Sequence, residues 1–322
     1  MDEAAVAAQV SPDALLARLR LDKDIVLHTK ATPTRMRLKD VRIFRASSIH
    51  DMCPVEAAYA IKLVKKKDEK RALAWARHNE LKAELVEVVD TGTVVHRQLQ
   101  YYAGLTGKVR EGQWRCPACG ALTVRGVPMP VQAVENEETG LEDKYPARCR
   151  RCKGDNLAMF PPWLYVEPRL VEAAKGVPEQ FRVVGHADGI WTVAVIVDGK
   201  SHLLRVLVDY KTSNLNGFDE KYGELPAQKY VSQMQVYLNL AEVEVGLILY
   251  YSKNDSRHKN CLVRRDRAFW NTLVERVRWA RKGNMKDKGK YRVCSNVGHP
   301  RSRSCYFQEV CWGTKAPENF LA

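Results

Sequence analysis

Two short cysteine pairs constrain this chain more than any other feature. Cys116-Pro-Ala-Cys119 and Cys149-Arg-Arg-Cys152 each have C-x2-C spacing, and 29 residues separate them. Such a pair wraps one knuckle around one metal, and four thiolates supply the closed tetrahedral shell of a structural zinc. Gly120 and Gly154 follow the knuckles and give the backbone the freedom those turns need. The alternative, a pair of disulfides, belongs to oxidising compartments. Met1 to Asp13 contain neither the basic patch nor the apolar core of a secretion signal. The expectation is a reducing, cytoplasmic compartment and a zinc ribbon over 110–160, with Cys116, Cys119, Cys149 and Cys152 as ligands.

The rest of the composition narrows the partners. At 322 residues and 45% hydrophobic, the chain can bury a core and has room for two domains, or for one domain with an insertion. Its apolar runs, such as Trp191 to Val197, fall far short of the ~20 residues that span a bilayer, so no membrane role is expected. A net charge of +14 points to a polyanion, most simply nucleic acid. The segment from Arg257 to Arg303 holds 15 Lys and Arg against three acids. Within it, Arg276, Arg278 and Arg281 are candidate phosphate contacts. Lys62 to Lys82 is a second basic stretch. Tyr291, Tyr306 and Trp312 are read either as platforms for unpaired bases or as core.

Patterning divides the chain. Ser11-Pro12-Asp13 opens a short helix to about Arg20. Ser47 to Val88 reads as helical with a break at Pro54, and Thr91 to Leu105 as a further helix carrying His96. After the ribbon, strands are expected at Trp163–Val171, Phe181–Val197 and Leu203–Tyr210, with a hairpin turn at Asp198-Gly199. A helix from Pro226 to Glu242, a strand from Val245 to Tyr251 and a basic helix from Asp266 to Lys282 follow. Cys261 reads as a small buried apolar side chain.

The strands end in acids. Gly185-His186-Ala187-Asp188-Gly189 is placed within one strand, and Asp209-Tyr210-Lys211 closes the next. Strand residues two apart share a face, so Asp209 and Lys211 point the same way. Two converging carboxylates suit a hard divalent cation, and the lysine can orient a water or offset developing charge. An isolated Asp-x-Lys is equally an ordinary ion pair.

Here the motif stands in an ordered set. Ser47-Ser48 leads to Cys53-Pro54, followed by Gly92-x-x-x-His96, Gly185-x-x-Asp188-Gly189, Asp209-Tyr210-Lys211 and Gln233-x-x-x-Tyr237. This set resembles the RecB-like branch of the PD-(D/E)XK nucleases over residues 45–312. The resemblance implies an α/β, restriction-endonuclease-like mixed sheet flanked by helices. It implies that His96, Asp188, Asp209 and the Tyr210 carbonyl bind magnesium or manganese. Lys211 would position the attacking water, and Gln233 and Tyr237 would orient substrate or the lysine. His186 and His202 have no counterpart and are read as structural. Members such as the CRISPR-associated RecB-like exonucleases and AddB-type nuclease domains hold a four-iron four-sulfur cluster. Cys53, Cys294, Cys305 and Cys311 resemble its ligands, with His299 as the alternative to Cys294. The Cys294-x10-Cys305 gap is wider than the family's, and the ribbon is not a common family feature.

The domain reading follows: 1–45 an N-terminal extension, 46–109 the helical part, 110–160 the ribbon, 161–255 the nuclease core, and 256–322 the basic helix and iron–sulfur clasp. The expected activity is DNA cleavage, by an exonuclease on single strands or free ends, in recombination, repair or CRISPR-type adaptation. A helicase, recombinase or integrase is the partner class, and a prokaryotic cell or phage-infected host the setting. The alternatives are a structure-specific endonuclease and a noncatalytic DNA-binding adaptor that keeps the fold.

Overall fold

Proline at position 54 starts the first helix, because the first helical position needs no N–H from it. The computed structural model describes residues 41–313 apart from 42, 79–82, 136–141, 160, 198–199, 214–225, 284 and 286. The expected helix from Ser11 to Arg20 and the Asp198-Gly199 turn lie outside the described residues. Strand β1 (Phe44–Arg45) runs into a single 3-10 turn at Ala46–Ser48. Helix α1 (Pro54–Lys65) is buried nearly all round, as its apolar sequence demands. The chain then turns at Lys67, in the left-handed region, into α2 (Glu69–His78) and on to α3 (Ala83–Leu105). The helical stretch expected up to Val88 is therefore broken at 66–68, and α3 begins before Thr91.

Short strands follow: β2 (Val109–Glu111), β3 (Gln113–Arg115), β4 (Val131–Glu135), β5 (Glu142–Pro146), β6 (Leu164–Val166) and β7 (Arg169–Val171). Next come β8 (Val183–His186), β9 (Gly189–Val197), β10 (Lys200–Ser213), helix α4 (Gln228–Ala241), β11 (Val245–Ser252), β12 (His258–Arg264) and helix α5 (Arg267–Lys282). Asp266 caps α5 by accepting the Phe269 N–H, and Gly283 ends it in the left-handed conformation. Three short helices, α6 (Lys288–Tyr291), α7 (Pro300–Arg303) and α8 (Gln308–Trp312), close the described chain. No helix among the described residues is long and apolar enough to cross a membrane.

The central sheet has five strands in the order β12-β11-β10-β9-β2. Only β10 and β11 run parallel, and α4 makes the crossover that such a pair requires. A smaller sheet has the order β1-β8-β7. The fold is thus a mixed α/β arrangement of mixed sheets and helices.

Two expected strands are split, and both breaks matter for the site. Phe181–Val197 divides at Ala187-Asp188, because β8 pairs with β1 and β7 whereas β9 pairs with β10 and β2. Asp188 therefore sits at a corner between sheets rather than within a strand. Trp163–Val171 divides at Glu167-Pro168: β6 pairs with β3 of the cysteine-bearing segment, and β7 with β8. Pro168 has no N–H for a ladder, and its carbonyl accepts the Ala187 N–H instead.

The main core joins α1, the central sheet, α4, α5 and α8. Phe307 stacks on Tyr59 with centroids 5.4 Å apart, so the C-terminal segment closes over the first helix. A second core contains Tyr101, Trp114, Met129 and Trp163 together with Cys116 and Cys149. It ties the end of α3 to the cysteine-bearing segment. A Cβ on Gly104 would lie 2.4 Å from the buried Trp114 ring. Gly104→Ala normally favours a helix by ~1 kcal/mol. Here the clash with a fixed indole outweighs it, and a net loss of ~1–3 kcal/mol is expected, read as a lower midpoint in urea unfolding.

Candidate active site

The apolar run Val206 to Val208 carries β10 into the core, and Asp209 is delivered there with 2% exposure. The β9–β10 ladder ends at the Gly189–Val208 pair. Beyond it the Asp188 side chain replaces the missing strand: its Oδ2 accepts the Tyr210 N–H at 2.6 Å. The split strand thus converts a ladder position into a fixed carboxylate. Lys211 Nζ lies 2.7 Å from Asp209 Oδ2 and 4.9 Å from the centre of the Tyr230 ring. The two form a buried ion pair near the end of β10.

Helix α3 approaches from the other side. His96 Nδ1 is 3.7 Å from Asp188 Oδ2. One turn later, buried Gln100 donates to Glu167 Oε1 at 2.9 Å and to the Asp188 carbonyl at 3.1 Å. Glu167 belongs to this constellation although the sequence reading did not name it. Its signal was Pro168, which marks the break between β6 and β7. On α4, Gln233 Nε2 donates to the Tyr237 hydroxyl at 2.7 Å, and both are buried.

Electrostatics mark this cluster as crowded with negative charge. Burial, then the Asp188 charge, pushes Glu167 up to about 7. Burial raises Asp209 to about 6, with Lys211 opposing and Asp188 adding to the shift. Burial would also raise Asp188, but His96, Lys211 and the Tyr210 N–H outweigh it and hold that carboxyl low. Burial would depress Lys211, yet Asp209 and Asp188 override it and keep the ammonium protonated. Three carboxylates and an imidazole offer oxygen and nitrogen donors of the kind a divalent cation takes, and the Lys211 ammonium offsets their charge without being a ligand. Their donor atoms are spaced more widely than the 4.8 Å that encloses the four cysteine sulfurs of 116–152.

Beside the cluster opens a cleft of about 610 Å³ whose wall includes Arg45, Ser47, Arg169, His186 and Tyr237. Tyr237 belongs to both cleft and cluster. Arg169 pairs with Glu179 at its edge. His186, expected to be structural, is instead exposed on this wall, whereas His202 is exposed on β10.

The ribbon cysteines converge. Their four sulfurs all lie within 4.8 Å of one another, with Cys116 and Cys152 at 3.6 Å and Cys119 and Cys149 at 3.7 Å. Gly120 and Gly154 both have positive φ, as the knuckles require. Burial pushes the Cys116 thiol up to about 12. At Cys149 burial is outweighed by the Cys152 and Arg151 N–H groups, leaving it at about 7. Such a compact thiol set can hold one tetrahedral metal ion.

In the second group, Cys53 caps the start of α1, Cys311 lies on α8, and Cys294 and Cys305 lie in the connections before and after α7. Cys53, Cys294 and Cys311 are buried and Cys305 is half-buried. Burial first, then Glu56, Cys53 and Cys311 among its neighbours, pushes Cys305 up to about 12. Cys311 is raised by burial and feels both Cys53 and Cys294. Cys53 and Cys311 thus lie near Cys305, and Cys294 near Cys311, but among the described residues only the 116–152 cysteines bring all their sulfurs within 4.8 Å of one another. His299 Nδ1 instead accepts the Arg301 N–H at the start of α7. Cys261 is buried, as expected.

The expected basic face of α5 needs correction. Arg281 pairs with Glu172, donates to the Phe181 carbonyl and lies over Phe44. Arg276 donates to the Met52 carbonyl at 2.9 Å. Both guanidiniums hold the fold together, and of the three only Arg278 is exposed. The candidate stacking aromatics are packed as well: Tyr291 on Trp279, Tyr306 on Phe307, and Trp312 under Arg292.

No family model matches the chain, and no curated protein matches its sequence. Among solved structures, it is similar to SSO0001 at 21% identity over 45% of this chain and 58% of that one, with a TM-score of 0.25. An alkaline exonuclease (LHK-Exo) from Laribacter hongkongensis matches at 14% identity over 35% of this chain and 55% of that one, with a TM-score of 0.25. A phage-related exonuclease from Haemophilus somnus 129PT matches at 18% over 31% and 54%, with a TM-score of 0.22. The chain spans a little over half the length of each.

Proposed function

We propose that this chain is a metal-dependent DNA nuclease of the PD-(D/E)XK type and RecB-like branch, acting as an exonuclease on single strands or free ends. The observation that carries the reading is the convergence of Asp188, Asp209, Glu167 and His96 beside a protonated Lys211. Asp188, Asp209, His96 and the Tyr210 carbonyl are the ligands of a magnesium or manganese ion, with Glu167 alongside. When bound, that cation supplies Lewis acidity toward a phosphoryl oxygen and acidifies water. Lys211, held positive by two aspartates, orients the attacking water and offsets charge on the phosphodiester as it develops. Gln233 and Tyr237 fix the floor between the acids and the cleft, where the strand end lies against Arg45 and His186. Recombination, repair or CRISPR-type adaptation is the setting, with a helicase, recombinase or integrase as partner.

The two cysteine groups have separate roles. Cys116, Cys119, Cys149 and Cys152 hold zinc, in keeping with their tight spacing. Cys53, Cys294, Cys305 and Cys311 hold a four-iron four-sulfur cluster, which spaces its thiolates more widely than a single tetrahedral ion does.

End-labelled linear, circular single-stranded and flapped DNA, incubated with magnesium or manganese, test the activity. Linear strands should shorten from an end, circles should persist, and excess chelator should stop all cleavage. Cleavage that survives the chelator overturns the metal-dependent reading, and cut circles move it to an endonuclease.

A further inference from the structure

The ribbon carries a charge pattern that neither its metal nor its packing requires. Arg115 and Arg148 immediately precede Cys116 and Cys149, Arg150 and Arg151 fill the second knuckle, and Lys153 follows Cys152. Each is therefore covalently adjacent to a thiol of one set whose sulfurs lie within 4.8 Å of one another. All five are exposed, and among the described residues none is in an ion pair. This differs from α5, where Arg276 and Arg281 turn inward to protein partners.

Compensation of the metal site does not account for the number. Four thiolates around a divalent ion leave a charge of roughly −2, so five cations overshoot it by about three. The described acids between the two knuckles, Glu135, Glu142 and Asp143, lie on β4 and β5, and Asp155 follows the second knuckle. The cations therefore gather at the knuckles themselves, an arrangement favourable when a polyanion lies across them.

The unit that presents them is rigid. Buried Asn156 accepts the Cys149 N–H at 2.8 Å and donates to the Pro162 carbonyl at 3.1 Å, which fixes the second knuckle. Trp114 packs on Tyr165 at the β3–β6 pair, with centroids 5.0 Å apart. Strand β6 leads directly to Glu167, and the end of α3 shares the same core. The knuckle cations are thus held at a fixed offset from the catalytic acids, so little ordering entropy is lost on binding.

We propose that the cysteine knuckles form a second nucleic-acid site, in which Arg115, Arg148, Arg150, Arg151 and Lys153 grip backbone phosphates that flank the phosphodiester held at Asp188 and Asp209. Guanidinium forks match phosphate oxygens in pairs, and the site reads backbone rather than base. The identity of the polyanion rests on the nuclease reading; the existence of the site does not. Two linked sites make affinity depend on substrate length, because only a strand that reaches both gains from the second.

The test is binding without cleavage. In an Asp188→Asn parent, affinity for a fluorescein-labelled oligodeoxythymidine strand and for a hairpin duplex is measured by anisotropy across a salt series, with metal content determined alongside. Combined Arg150→Ala, Arg151→Ala and Lys153→Ala should make the salt slope shallower by roughly 2–3. The charge-conserving Arg150→Lys, Arg151→Lys pair should keep it. If the triple variant sheds its metal, Arg115→Ala with Lys153→Ala is read instead, leaving the Cys149–Cys152 turn intact and flattening the slope by roughly 1.5. An unchanged slope on both DNAs in a metal-retaining variant overturns the proposal. A wild-type chain that binds through the knuckles but cuts nothing sinks the nuclease reading alone.

Discussion

Asp188→Asn is expected to lower metal-dependent turnover by roughly 10³-fold or more while leaving the fold intact. The amide oxygen of asparagine can still accept the Tyr210 N–H that now reaches Asp188 Oδ2, so the corner between β8 and β9 keeps its hydrogen bond. What disappears is the charge. A cation interaction worth several kcal/mol is removed, and each ~1.4 kcal/mol is a factor of ten in rate. The folded state should be modestly less stable at neutral pH, because His96, Lys211 and the Tyr210 N–H favour the charged Asp188 that the amide replaces, a loss partly offset by relieved crowding on Glu167 and Asp209. Steady-state cleavage of a labelled strand across a magnesium titration, together with a thermal melt, reads both effects. Turnover within tenfold of wild type at saturating metal would remove Asp188 from the site. Glu167→Gln is the companion variant. It keeps an acceptor for Gln100 but loses its charge, and a drop of roughly 10–100-fold is expected of a group supporting the ligands.

That pair of substitutions also marks what the sequence could and could not disclose. The placement of Asp209 and Lys211 on one face was legible because strand residues two apart point the same way, whereas His96, Gln233 and Tyr237 stood out only through the resemblance to the RecB-like nucleases. The corner at Asp188 was not legible. Its flanking residues read as one apolar strand, and only pairing partners distant in sequence assign β8 and β9 to different sheets. Glu167 was hidden the same way, although Pro168 gave a local reason to break the strand. Charge was the least transferable signal. Arg276 and Arg281 sit in the most basic segment of the chain, yet the Met52 carbonyl and Glu172 claim them. No local pattern announces a partner more than a hundred residues away. The ribbon cations stood in plain view beside their cysteines, where short knuckles leave the intervening side chains few inward places to go.

Cys116→Ala should have the largest effect on structure. Structural zinc contributes roughly 10–16 kcal/mol of apparent free energy to small metal-stapled units, as much as the whole stability of an ordinary domain at ~5–15 kcal/mol. Without it, the core of Trp114, Met129 and Trp163 loses its staple, and proteolysis should open the ribbon. Turnover should fall too, since Trp114 supports Tyr165 and, through β6, the placement of Glu167. The second cysteine set should respond differently. Cys53 and Cys294 are 241 residues apart, so a cluster bound there would close a loop across most of the fold rather than a local knuckle. Protein purified without oxygen should be brown with thiolate-bound iron and hold one zinc besides. Cys305→Ala or Cys311→Ala should bleach it and lower its yield as folded protein, because Tyr59, Phe307 and Val310 pack the same closure. Cys116→Ala should lose zinc and keep the colour. Two zinc ions and no iron in colourless, anaerobically prepared protein would overturn the iron assignment, and the carboxylate cluster would stand unaffected because none of its side chains comes from α1 or the C-terminal helices.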